Sequence, residues 1–447
     1  MPLGCRLFLL ETLMLHMFRA IVWFLVRLPL LLLIFVTALV MSSCTMLGLN
    51  YASLETANKA APQPALNIAA IMSEPTYRTG LMQSFEEVLY GPWPEGMPVS
   101  WGEPRLVEAD LLDGKGRLEE IPVTIGTGEG ASQFWLAVAI PAGEGPFPLV
   151  ISQTFSSNCA AFPGYPVTSP AGTPCEGSEM DGTFGYLATQ IFGTYIAKVP
   201  LERFMDAGIA YATFYGSDFV PDRRNEAPDV MEHLGGPINP TSTLMAWAYG
   251  YSAAMDALEG RNEIDSGAMV LFGHSRFGKA ALITGAWDRR ADAVIAHQAG
   301  FAGASLSRSE TGEGLKRMAE SYPHWLAPQT QDWLNRLDEL PVDQHQLLAL
   351  LAPTPVLLGN GRRDVWSDPN SSFRAALSAS DAYVAAGEEG LPAGGMKQEF
   401  DPGAGIAWWL RPGGHSIVSE DIETFIAFID AQFPGAARKQ GAVHAAE

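Results

Sequence analysis

The sequence predicts an α/β protein: a mainly parallel, doubly wound sheet with antiparallel leading strands and helices on both faces. Three observations carry this prediction. Strand-length apolar patterns recur at residues 148–152, 208–214, 268–272, 293–297, 355–358 and 406–410, and a strand covered on both faces has such an unbroken pattern. Helical patterns fall between them, notably over residues 242–258 and 279–288, and strand alternating with helix implies parallel pairing. Third, the run at 268–272 leads straight into Gly273-His274-Ser275-Arg276-Phe277-Gly278-Lys279 and then an Ala-rich helical stretch. A strand, a tight turn at a serine and a helix expose the hydroxyl at the carboxyl edge of a sheet, beside free N–H groups that favour negative charge.

The 447 residues, 47% of them hydrophobic, suffice for one large domain. A formal net charge of -21 repels nucleic acid and acidic polymers, so neither is an expected partner. Residues 20–41 are nearly all apolar but interrupted by Arg27 and Pro29. The run after Arg27 is short for a spanning helix and suits the apolar centre of a signal peptide. It ends in Met41-Ser42-Ser43-Cys44, which resembles a bacterial lipoprotein processing site whose cysteine becomes the lipidated first residue. An uncleaved anchor helix is the competing reading of residues 1–43, and both readings place the body in the cell envelope, exported and attached to a membrane at its amino end. Cys5 and Cys44 belong to that segment, which leaves Cys159 and Cys175 as the pair in the body, expected to bridge in an oxidising compartment. Neither C-x-x-C nor H-E-x-x-H occurs, and no metal or other cofactor is expected.

Residues 44–98 are rich in Ala, Pro and Ser and read as a tether with a short helical approach. Residues 99–434 follow as the catalytic domain, and residues 435–447 as a disordered tail. Between residues 101 and 142, alternation as in Leu106-Val107 and from Phe134 to Ile140, with a turn at Asp113-Gly114, predicts the antiparallel leading strands. Gly126-Thr127-Gly128-Glu129-Gly130 has the glycines of a phosphate loop but precedes a strand, so it reads as a turn. The strand at 148–152 is followed by a long polar loop, residues 153–174. In enzymes with a serine elbow this loop supplies a second oxyanion donor, which makes the backbone amides of Thr154 and Phe155 candidates.

A serine nucleophile needs a histidine base within hydrogen-bond reach, and the histidine needs a carboxylate to fix its tautomer and stabilise its cation. The expected chain order is serine, acid, histidine. His415 follows the final strand on the glycine turn Pro412-Gly413-Gly414 and precedes a closing helical pattern, so it is the candidate base. His297, His324 and His345 fall in strand or helix patterns and read as packed or supporting groups, and His274 reads as pointing into the core. Asp364 lies just beyond the strand before the histidine strand and is favoured as the acid over its competitor Asp368. Arg276 and Lys279 are one turn apart and can share a helix face. The arginine can help hold an oxyanion, where one donor contributes about 3 kcal/mol, and the lysine can meet substrate hydroxyls. The plainer alternative is a pair of solvated helix charges.

Together these residues resemble the glucuronoyl esterases, carbohydrate esterase family fifteen of the α/β-hydrolase superfamily, whose elbow reads G-C/H-S-R-x-G-K with the second glycine displaced. The similarity extends to Trp247-Ala248-Tyr249-Gly250-Tyr251-Ser252, Ala302-Gly303-Ala304-Ser305-Leu306-Ser307-Arg308, Pro323-His324-Trp325, Asp343-Gln344-His345 and Asp364-Val365-Trp366-Ser367-Asp368-Pro369. The resemblance implies an α/β-hydrolase fold with Ser275 as nucleophile, His415 as base, Arg276 at the oxyanion, and Lys279, Glu313 and Trp366 at the sugar. It also implies a substrate ester between 4-O-methylglucuronic acid of xylan and a lignin alcohol, in which the acid's charge is masked, so that an acidic protein can take a uronate. There is one departure. Many members carry the acid as a glutamate at the position of Gln298, and a glutamine cannot hold a charged imidazolium as a carboxylate does. Some bacterial members have an acid at the later strand end, which corresponds to Asp364, and the acid is assigned there. Two other functions compete: a general cell-envelope carboxylesterase, motivated by Gln298 and the 153–174 loop, and an inactive surface carbohydrate-binding protein, against which Ser275 and His415 argue.

Overall fold

The computed structural model describes residues 17, 22–25, 27–36, 64–168, 189, 191–196, 198–236, 239–392 and 394–435. The chain forms two compact units, Met1–Asn50 and Tyr51–Glu447. In the first, residues 22–25 and 27–36 are helical. Among the described residues no helix is long and apolar enough to cross a membrane, and the expected processing site at Cys44 lies outside them.

The second unit is built on one sheet of ten strands: β1 (Val99–Trp101), β2 (Arg105–Leu111), β3 (Gly116–Ile125), β4 (Ser132–Pro141), β5 (Phe147–Thr154), β6 (Ala210–Tyr215), β7 (Ile264–His274), β8 (Ala293–His297), β9 (Val356–Gly361) and β10 (Ile406–Arg411). Their order is β1-β3-β4-β6-β5-β7-β8-β9-β10, with β2 also on β3. Pairing is antiparallel as far as β4 with β6 and parallel from β6 to β10. The chain first places β6 on one side of β5 and then crosses to place β7 on the other. This reversal opens a crevice at the carboxyl ends of the central strands, where ligands bind in open α/β sheets.

The unbroken apolar runs have a direct cause in the two-sided core. Successive side chains of a strand point to opposite faces. Leu271 of β7 therefore packs in the cluster with the helices Thr243–Leu258 and Arg276–Trp287, whereas Val270 packs with Ile422, Phe425 and Ile429 of the helix Ser419–Gln432. Thr243–Leu258 is buried around nearly its whole circumference, and the Ser242 side chain caps it by accepting from the Met245 amide.

Each strand expected from an apolar run is present, most of them longer by a residue or more. The Gly126 to Gly130 stretch joins β3 to β4 through one short 3-10 turn, Gly128–Gly130. Within the stretch read as an approach, the helices Ile68–Ser73 and Pro75–Phe85 and the wider turn Glu86–Tyr90 bring Phe85, Leu89 and Tyr90 to complete burial. The Tyr90 hydroxyl donates to the Ala302 carbonyl at 3.1 Å and accepts from Gln344 at 2.9 Å, so this part is packed onto the sheet domain. Cys159 is disulfide-bonded; its expected partner Cys175 lies outside the described residues, as does the tail beyond residue 435.

Candidate active site

Ser275 sits between β7 and the helix Arg276–Trp287 with φ 54° and ψ −122°, a conformation that strains any residue with a Cβ. The Ser275 amide donates to the His297 carbonyl at 2.8 Å, tying the turn to β8. The turn is so tight that a Cβ on Gly273 would lie 2.0 Å from the Phe277 carbonyl oxygen, and one on Gly278 would lie 2.9 Å from the Gly273 oxygen. The backbone approach thus requires glycine at 278. Position 277 instead turns its ring into the core, against Phe155 and Trp247, and this is why Phe277 replaces the usual second glycine.

His415 stands over this turn, its ring 4.6 Å from that of His274. Its Nδ1 lies 2.7 Å from Asp364 Oδ2. Asp364 is fully buried, which by itself would raise its pKa, but the His415 charge and hydrogen bonds from His415 and Ser367 outweigh burial and hold it below the usual carboxylate range. The contact ties His415 to Asp364 through Nδ1, so that Asp364 does not occupy Nε2. Asp368 is occupied elsewhere. It caps the helix Pro369–Ala386 through the Ser371 amide and accepts from Ser309 and Thr311.

Gln298, at φ 51° just past β8, grips the histidine loop. Its Nε2 donates to the Gly414 carbonyl and its Oε1 accepts from the Ser416 amide, both at 2.9 Å. Below it, Arg411 Nε meets both Asp421 oxygens at 2.8 Å while Nη2 donates to the Ser416 carbonyl and hydroxyl. His274, as expected, is buried: its Nδ1 is 2.9 Å from Nδ1 of His297. Burial, then the charges of His415 and His297, push its pKa well down, so it stays neutral.

On the other side of Ser275, Arg276 pairs with Asp222 and its guanidinium lies 4.9 Å from the Phe155 ring centre, 5.6 Å from Phe277 and 5.8 Å from Trp325. Asp222 also accepts from His324 Nε2 at 2.8 Å and Trp325 Nε1 at 2.7 Å. Burial works to raise the Asp222 pKa, but these donors and the arginine lower it overall. Lys279 is buried and donates to the carbonyls of Ala299 and Phe301, so neither cation is a solvated helix charge. Burial pushes Lys279 down to about 8, against the pull of Glu313 and Asp364. Glu313 is raised, chiefly by burial, and its Oε1 is buried without a hydrogen-bond partner. Trp366 is 39% exposed, with Arg317 4.9 Å from its ring centre.

The structure therefore gathers Ser275, Arg276, Asp364 and His415 with Lys279, Glu313 and Trp366 around the carboxyl ends of β7 to β10, with Thr154 and Phe155 at the end of β5. His345 bonds the Pro64 carbonyl and stands apart from this group. Asp222 escaped the sequence reading. The available signal was its place a few residues beyond the carboxyl end of β6, where site residues gather in this architecture. Among the described residues no cluster of His, Cys, Asp and Glu could hold a metal ion.

The model for fungal glucuronyl esterases matches residues 186–387, a span that includes Ser275 and Asp364 but ends before His415. A carbohydrate esterase of an unknown prokaryotic organism is 28% identical over 87% of this chain and 93% of its own length. The 4-O-methyl-glucuronoyl methylesterase 1 of Wolfiporia cocos is 26% identical over 54% of this chain and 62% of its own. Among solved structures, a glucuronoyl esterase from Solibacter usitatus superposes with a TM-score of 0.71 at 26% identity, covering 84% of this chain and 98% of that one. A promiscuous family-fifteen esterase from a marine bacterial metagenome gives 0.70 at 26%, with the same coverage. With the sheet order, the serine elbow and the Asp364–His415 pair, these matches lead to one conclusion: the chain is similar over most of its length to the glucuronoyl esterases of carbohydrate esterase family fifteen, and is an ester hydrolase of the α/β-hydrolase fold.

Proposed function

We propose that the protein hydrolyses esters of glucuronic or 4-O-methylglucuronic acid through a serine acyl intermediate. The observation that carries this reading is the 2.7 Å His415–Asp364 contact beside the strained Ser275 turn. His415 takes the Ser275 proton as the hydroxyl attacks the ester carbonyl, then gives it to the departing alcohol; water repeats the cycle and releases the uronic acid. The oxyanion accepts from the backbone N–H groups of Arg276 and Phe155, with the Arg276 guanidinium adding charge from its place against Phe155. Lys279 and Glu313 hold sugar hydroxyls, since Lys279 has one N–H beyond its two carbonyl bonds and Glu313 has an unpartnered oxygen. Trp366 offers its half-exposed ring to the sugar or the alcohol.

The name of the Wolfiporia relative supports the uronate part of this reading. The word promiscuous, used of the marine esterase, favours a second reading in which the same site serves as a broader carboxylesterase. A panel of methyl glucuronate, benzyl glucuronate and p-nitrophenyl acetate, run with wild type and Ser275→Ala, tests both. The expected result is uronate turnover well above acetate turnover, all of it lost in the variant. Equal turnover of acetate replaces the specific reading with the general one, and activity retained in Ser275→Ala removes the mechanism. The proposal further includes export to the cell envelope, attachment through Cys44 or an amino-terminal helix, and a Cys159–Cys175 bridge. Palmitate labelling lost in Cys44→Ser and peptide mapping under non-reducing conditions test these.

A further inference from the structure

We propose that Gln298 is the positioning residue that holds His415 in register with Asp364, and that its side chain must be an amide. The two peptides flanking His415 present one acceptor and one donor: the Gly414 carbonyl before it and the Ser416 amide after it. Gln298 meets both at 2.9 Å, Nε2 to the carbonyl and Oε1 from the amide, and because the two partners differ in kind they settle which amide atom is which. The glutamine is itself held from two sides. Its backbone N–H donates to Gly359 of β9 at 2.7 Å, and its carbonyl accepts from Ser367 Oγ at 3.2 Å. Ser367 in turn donates its amide to Asp364 at 3.1 Å and stands 3.4 Å from His415 Nδ1. One buried residue, through its backbone and its side chain together, thus joins the ends of β8 and β9 to the histidine loop. The fit is close: a Cβ on Gly361 would lie 2.5 Å from Gln298 Nε2, so the neighbouring strand leaves room for the amide only by being glycine there.

A carboxylate of the same shape has no donor for Gly414. Ionised, it would set an anion against a carbonyl oxygen in a buried site that already holds Asp364, and the loop would shift; protonated, it could donate to Gly414 and restore the grip. The charged and titratable groups around it are His297 before it on β8, His274 of β7, Lys279 of the elbow helix, Asp364, Arg411 of β10, whose Nη2 is 3.5 Å from the same Gly414 oxygen, Asp421 beneath Arg411, and His415 itself. Asp364 opposes ionisation of an introduced carboxylate, and Arg411 with Lys279 favours it.

The inference rests on the Ser275–His415–Asp364 reading, and the experiment separates the two. Steady-state kinetics on methyl glucuronate from pH 5 to 9 are compared for wild type, Gln298→Glu, Gln298→Met, Asp364→Asn and the double variant Gln298→Glu/Asp364→Asn, with thermal melts of each and Ser275→Ala as the control for the chemistry. In Gln298→Glu kcat falls about 10²-fold at pH 8, the size of effect a small misplacement of a catalytic group produces, while KM changes little and the deficit narrows as the pH falls. Gln298→Met, with neither donor nor acceptor, loses kcat by the same factor at every pH. Wild-type kcat at pH 8 in Gln298→Glu overturns the proposal, and so does recovery of activity in the double variant, since the introduced carboxylate would then be serving as the acid. A folded Gln298→Met with wild-type kcat overturns it equally. Activity in Ser275→Ala removes the underlying mechanism instead.

Discussion

Ser275 is flanked by two aspartate–histidine pairs of nearly the same length, 2.7 Å for Asp364 with His415 and 2.8 Å for Asp222 with His324. Under the proposed mechanism the first is the one suited to proton transfer. Asp364 is completely buried and holds one imidazole by Nδ1, leaving His415, 24% exposed in its side chain, with Nε2 as the atom the proposed mechanism uses. Asp222 shares its charge among Arg276, His324 and Trp325. His324 is bound through Nε2, is only 6% exposed, and its Nδ1 is buried without a partner. In the proposed mechanism the same two residue types therefore make a general base on one side, while on the other they anchor a cation. What separates them is which ring nitrogen is bound, how much of the ring is exposed, and how many donors divide the carboxylate.

Breaking the first pair has the largest expected effect. Asp364→Asn lowers kcat by about 10⁴-fold, because the amide favours the wrong His415 tautomer and cannot stabilise its cation; kcat measured across pH 5 to 9 checks this, and a loss below tenfold would move the acid elsewhere. Next comes the support beneath the histidine loop. Asp421→Asn leaves Arg411 buried without its ion pair and costs about 3–5 kcal/mol in denaturant unfolding at pH 7. Burial tends to raise the Asp421 pKa, but the charges of His297 and Arg411 and its hydrogen bonds hold it down at about 2, against about 3.9 in an unfolded chain. A carboxylate with a depressed pKa contributes stability that is complete above the unfolded value and disappears as pH falls through the folded one. The difference between wild type and variant should therefore be full at pH 7 and shrink between about pH 4 and pH 2.

Breaking the second pair costs less. Asp222→Asn leaves the elbow intact but releases Arg276, and kcat on methyl glucuronate falls by about 10²-fold or somewhat less, the range for a displaced oxyanion donor. A pH profile of unchanged shape distinguishes this from damage to the base. His324→Gln keeps a donor toward Asp222 and should lower kcat only about threefold, the size expected when one of several hydrogen bonds to a charged group is weakened. If it matched Asp364→Asn in size and in pH dependence, the two pairs would not differ as the geometry indicates.

Much of the fold was legible from the sequence because a doubly covered parallel sheet prints itself as short apolar runs, and β8, Ala293–His297, matches its expected bounds at both ends. The leading region was less distinct. β1 is three residues long and β2 is bulged, and short edge strands leave little periodicity to read. The amino-terminal helices were underestimated for a different reason: their burial comes from contacts such as Tyr90 with Gln344 and Ala302, hundreds of positions away.

The site divides along the same line. Ser275, Asp364 and His415 each lie just past a strand, and in an open α/β sheet the chain's local pattern of strand, turn and helix already places such residues at one edge. Their local backgrounds were enough to name them. Gln298 and Asp222 also follow strands, but nothing in their local background says what they bind, and Arg411 and Asp421 lie inside a strand and a helix. Gln298 occupied a position where a carboxylate was expected, and only the folded chain reveals that its amide faces a carbonyl and an N–H on either side of His415. The sequence by itself determined which groups could do chemistry, because that depends on residue type and on nearby secondary structure. The tertiary structure alone decided which aspartate pairs with the arginine and what holds the histidine loop, because hydrogen bonding and burial depend on distances that close only when remote strands pair.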